Sequence, residues 1–173
     1  MKKVYSLPKV SIISIEETSM LASSFNRNVN TGTFAQKVVT EYVAYKTLTQ
    51  RQKLAALNLM KCFGAGSCPC SSEYTQKINH ILIVMADKMG ISWLEYKTSS
   101  NMFSSMEDMV SCLKGANKIA LENIFMGIYC IVALGKSKEA VCVLLQIFSQ
   151  LGFREQDCIS ILESKTGVKI EDL

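Results

Sequence analysis

This sequence is short of helix breakers and of reactive groups. Only two prolines, Pro8 and Pro69, stand in 173 residues, so helices can run with little to interrupt them. The single histidine, His80, leaves few of the Ser–His and Cys–His pairings that nucleophilic catalysis requires. There is no Walker loop, no strand-preceded dinucleotide fingerprint and no His-Glu-x-x-His helix. Gly64-Ala-Gly66 follows a helical pattern instead of a strand, which denies it the setting of a phosphate cradle. Long apolar runs are missing too: Ile124 to Leu134 extends about eleven residues, against the roughly 20 that a membrane-spanning helix needs. No transmembrane helix is expected. Charge of one sign is scarce, with nineteen Lys and Arg against fifteen Asp and Glu, a net +4. That excess is too small and too dispersed for a dedicated nucleic-acid binder.

What is present points to a folded, reduced domain. Hydrophobic residues make up 49% of the chain, and a chain of this length buries roughly 70% of its unfolded surface without needing disulfides or a structural metal. The seven cysteines, at 62, 68, 70, 112, 130, 142 and 158, are odd in number. Four of them lie in apolar helical stretches, where Cys behaves as a small hydrophobe, so a reducing, cytoplasmic setting is expected in place of a disulfide framework. Between Glu41 and Glu73 no acidic residue occurs, while Lys46, Arg51, Lys53 and Lys61 fall there. These four are candidate partner-binding residues for an anionic partner; a solvated basic helix face is the competing account.

Two segments are expected, an extended N-terminal leader and linker over 1–33 and a helical domain over 34–173. The opening has a basic start, but Pro8, Lys9, Glu16 and Glu17 interrupt any continuous apolar core of a signal peptide. Val10, Ile12, Ile13 and Ile15 nearly alternate, as in a short strand. Asn26 to Thr33 is polar and turn-rich, with nothing to bury. Beyond it, Gly64, Gly90, Gly115, Gly135, Gly152 and Gly167 each follow an apolar periodic segment, where a left-handed cap is cheapest. Thr49-x-x-Gln52, Ser92-x-x-Glu95 and Ser104-x-x-Glu107 are capable of capping boxes at helix starts. Helices are therefore expected near 34–47, 49–63, 71–89, 92–100, 105–114, 117–134, 137–151 and 154–166.

The fold class follows: an all-α, single-domain helical bundle of about seven or eight helices. Tyr74, Ile78, Ile81, Leu82, Met85 and Met89 wind onto one stripe of a 3.6-residue helix and should face the core. Asn117 to Leu134 is apolar on nearly every side and is expected to be a central helix wrapped by the others. Ala140, Val141, Val143, Leu144, Leu145, Ile147, Phe148 and Leu151 cover more than half of the helix that follows.

The chemistry that remains is a loop of thiols and a few carboxylates. Cys62, Cys68 and Cys70, with His80 ten residues on, offer ligands that zinc prefers. Their intervals of five, one and nine intervening residues depart from the two to four that usually open a structural zinc site. The competing account is a Gly-Pro turn between two helices. Glu73, His80 and Asp87 share the face opposite the apolar stripe but stand about 10.5 Å apart at 1.5 Å per residue, too far to hold one ion together. Cys130 and Cys142 sit in the most apolar helices, where burial makes a thiol inert. Trp93 with Met102, Met106 and Met109 forms either an adaptable docking surface or core filling between short helices.

The residues Ile78 to Tyr96, and again Asn123 to Phe153, resemble the TerB-like helical family named for tellurite resistance. The likeness lies in Ala86-Asp87 ending an apolar helix, Gly90, and a new helix opening at Ser92 with Glu95. In the second stretch Ala133-Leu134-Gly135 lacks the acidic member, although Glu139 follows, and Leu151-Gly152-Phe153 resembles the family's closing turn. The resemblance implies a helical fold and makes Asp87, Glu95 and Glu139 candidate ligands for a hard divalent cation. Tyr5-x-x-Pro8 with Leu21-x-Ser23-Ser24 resembles a short leader shared by otherwise unrelated small bacterial proteins and peptide precursors. The reading is a non-enzymatic, soluble interaction or scaffold module with no expected cofactor, an unidentified protein partner, and room for homo-oligomers. The alternative is a metal-binding or redox-responsive protein using Cys62, Cys68 and Cys70, with His80 a further candidate ligand, or the Asp87 and Glu95 carboxylates. An enzyme of unknown type is a third.

Overall fold

Among the described residues seven α-helices and one 3₁₀ turn follow the end of an earlier helix, and most of the seven open where a small polar side chain takes up an orphan amide. The computed structural model describes residues 43–66 and 71–166. They comprise the end of a helix at 43–46, then α1 (Gln50–Gly66), α2 (Ser72–Met89), α3 (Trp93–Thr98), a 3₁₀ turn (Ser99–Asn101), α4 (Met106–Leu113), α5 (Lys118–Gly135), α6 (Lys138–Gln150) and α7 (Glu155–Thr166). No strand occurs among the described residues. The expected helix over 34–47 is seen only in its last turn; the leader at 1–33, Cys68, Cys70 and Gly167 lie outside the described residues.

The caps explain why the boundaries fall where they do. Thr49 and Gln52 form the reciprocal box: the Thr49 amide donates to Gln52 Oε1 at 2.9 Å and the Gln52 amide to Thr49 Oγ1 at 3.2 Å. Ser71, Ser92 and Ser137 accept from the amides of Tyr74, Glu95 and Ala140. The start of α4 is one residue later than expected. Ser105 is its N-cap, and Asp108 reaches back to the Ser104 amide at 3.2 Å. Gly90, Gly115 and Gly152 take positive φ at helix ends, as a left-handed cap requires.

Two of the glycines expected as left-handed caps do not take that place. Gly64 lies inside α1, where a Cβ would sit 2.9 Å from Cγ2 of Ile78. Gly135 is the last residue of α5, and the left-handed position falls on Lys136 at φ 52. The helix expected over 92–100 ends at Thr98 and tightens into the 3₁₀ turn.

α1 and α5 share the centre. The sequence names α5 as the central helix of a bundle with one or two buried members; α1 is buried continuously from Leu54 to Met60 as well and packs against α2, α4, α5 and the 3₁₀ turn. Its one buried polar side chain there, Asn58, donates to Leu54 O and to Ser99 Oγ, both at 2.9 Å. α5 packs on α1, α2, α6 and α7. Among the described helices α5 alone is long and apolar enough to cross a membrane, and half of that stretch is buried inside the bundle. The six-residue stripe of α2 is buried as expected, and the Tyr74 hydroxyl donates to Ile131 O of α5 at 3.1 Å. α6 buries Val141, Leu144, Ile147 and Phe148 but leaves Val143 exposed. Phe148 meets Phe125 and Phe153 edge-on, closing the α5–α6 side.

Candidate functional site

The capped turn at Ser92 sets α3 across the end of the α1–α2 pair, and a groove of about 580 Å³ opens between the three helices. Its floor is apolar, with Gly64 from α1 and Ile78 and Leu82 from α2. Trp93 forms a wall, its ring centroid 5.0 Å from that of Tyr96. The rim is polar, with Lys61 and Lys97 among neutral side chains such as Ser72, Thr75 and Asn79. Lys97 Nζ stands 5.4 Å from the Trp93 ring centroid, a cation–π distance, and Lys61 Nζ lies 3.5 Å from Ser100 Oγ. Among the described residues that line the groove there is no carboxylate, imidazole or thiol.

Beneath the wall lies an unmet polar group. Tyr96 is almost wholly buried and its hydroxyl has no hydrogen-bond partner among the described residues. Desolvation, and to a lesser extent the neighbouring Cys62, pushes its pKa up to about 12. Cys62 is half-buried, and burial raises its thiol pKa against an opposing pull from Lys61. A thiol so placed stays protonated near neutrality, which does not suit nucleophilic attack.

The other singled-out residues are scattered. His80 and Asp87 are exposed on α2. Glu95 on α3 accepts from Gln50 Nε2 at the start of α1. Glu139 accepts from Ser137 Oγ at 3.2 Å in the first turn of α6. Among the described residues no three His, Cys, Asp or Glu side chains come together as metal ligands would; Cys68 and Cys70 lie outside the described residues. The basic residues do not form one patch. Lys46 is exposed beyond α1, and Lys53 is partly buried within it. Arg51 turns to α4, where its Nε donates to Cys112 Sγ at 3.3 Å, its guanidinium stands 3.8 Å from Asp108 and it covers the Phe103 ring at 5.6 Å. Only Lys61 reaches the groove.

The methionines divide between the two readings. Met109 is buried and Met106 packs against the core, whereas Met102 is exposed. Lys97 and Tyr96 went unremarked in the sequence. The spacing Trp93-x-x-x-Lys97 was the available clue, since residues four apart share a helix face. Comparison with protein-family models, with curated proteins and with solved structures finds no match.

Proposed function

We propose that the chain is a non-enzymatic, cytoplasmic helical interaction module, and that the groove between α1, α2 and α3 is the face it offers to a protein segment. The observation that carries this is the pairing of an apolar floor with Lys61 and Lys97 at the rim and, among the described lining residues, no carboxylate, imidazole or thiol. Such a surface suits recognition, with apolar contact for affinity and charge for register. The five described cysteines are free thiols, in keeping with a reducing compartment. Likeness to the TerB-type family is retained as a proposal about fold. Asp87 near the end of α2, the left-handed Gly90 and Glu95 in the first turn of α3 support the helix–turn–acidic-helix pattern.

The test is affinity capture by the full chain in parallel with a K61E/K97E variant. The expected result is a partner held by the original and released by the charge reversal. Retention of the same partner by both would remove the groove as its seat. The metal or redox reading keeps one support, that Cys62 in α1 leads toward Cys68 and Cys70. Elemental analysis below about a tenth of an equivalent of zinc, iron or copper would end it.

A further inference from the structure

The groove asks for a segment that is apolar and acidic together, and this chain carries one. From Val10 to Ser19 the sequence reads VSIISIEETS, with four aliphatic residues, two glutamates and no basic residue. Glu16 and Glu17 are the only acidic residues before Glu41. Laid out as an extended strand, this stretch would put Ile13, Ile15 and Glu17 on one side, because side chains alternate. The three would span roughly 13 Å at about 3.3 Å per residue. Two aliphatic side chains then match the Ile78, Leu82 and Trp93 surface, and the Glu17 carboxylate, with Glu16 beside it in sequence, matches the ammonium groups of Lys61 and Lys97.

We infer that in the free protein the groove is occupied by residues 12–17 of the same chain, an inference that rests on reading the groove as the docking face. The tether is long enough. From Glu17 to Phe34, where the expected helix begins, the chain can extend roughly 55 Å, well past the roughly 35 Å diameter expected of a domain this size. Tethering also lowers the affinity required. A covalent tether that can span the distance holds its end at an effective concentration in the millimolar range, so contacts too weak to hold a separate peptide keep a tethered one bound. The apolar residues supply the contact area; the lysines set direction, since exposed ion pairs add little by themselves. A partner with the same chemistry must displace this segment to bind.

Zero-length carbodiimide cross-linking of the full chain, followed by peptide mass spectrometry, tests the assignment. Amide links from Glu16 or Glu17 to Lys61 or Lys97 are expected. An I13S/I15S variant keeps both carboxylates but should lose those links and shift the emission of Trp93, the only tryptophan, to longer wavelength. In an equal mixture of isotopically light and heavy protein, the links should join only light to light and heavy to heavy. Links from Glu16 and Glu17 spread evenly over the lysines, links from Lys61 or Lys97 to Glu171 or Asp172 instead, or light–heavy pairs would each overturn it. Absence of the links while K61E/K97E still releases a captured partner would remove the leader from the groove and leave the groove's role standing.

Discussion

Tyr96 is the residue at which packing and polarity disagree. Its ring is wanted in the wall beside Trp93, while its hydroxyl is buried with no partner among the described residues. A buried unsatisfied group costs about 1–3 kcal/mol, so Tyr96→Phe should raise stability, by about 1 kcal/mol in urea denaturation. The titration gives a second readout. The phenol's folded pKa, about 12, lies above the ordinary value of 10.0. Between those values the unfolded chain has released a proton that the folded chain still holds, so stability falls as pH rises through this window. The Tyr96→Phe variant should lose less stability than the original between pH 10 and 12. None of this was legible beforehand: a tyrosine in an apolar pattern says nothing about whether its hydroxyl meets an acceptor.

The caps and stripes of the helices were the most legible part of the sequence, because both act within one or two turns. The α2 stripe and the Thr49–Gln52 box are read from spacing alone, and the glycines at 90, 115 and 152 from their conformational freedom. Gly64 was misread because its reason lies in another helix: it lets α1 approach Ile78 of α2. Gly127 permits a similar approach within α5, but there a Cβ would meet the flexible tip of Met60, at 2.7 Å. The two should therefore respond differently to alanine. Gly64→Ala presses on a β-branched side chain and is expected to cost about 1–3 kcal/mol. Gly127→Ala displaces a methionine end, and the gain of about 1 kcal/mol in helix propensity offsets much of that. Thermal melts of the two variants would rank them. The groove was illegible for the same reason, since it needs residues from α1, α2 and α3 together and only the spacing of Trp93 and Lys97 hinted at it.

At the scale of the whole molecule, α1 is the shared support. It touches α2, α4, α5 and the 3₁₀ turn, so removing side-chain volume from its centre should weaken every contact together. Leu57 is fully buried, and Leu57→Ala is expected to cost about 2–5 kcal/mol. Circular dichroism and Trp93 fluorescence should still report one coincident transition; separate midpoints would mean that the groove end unfolds independently. The Asn58–Ser99 hydrogen bond bears on this architecture in a different way. A rod greasy on all sides carries no instruction about its own rotation, since turning it a few tens of degrees still leaves hydrocarbon against hydrocarbon. One amide that must find one hydroxyl supplies that instruction, fixing the azimuth of the central rod and, through the turn that bears the hydroxyl, the angle at which the tryptophan is presented.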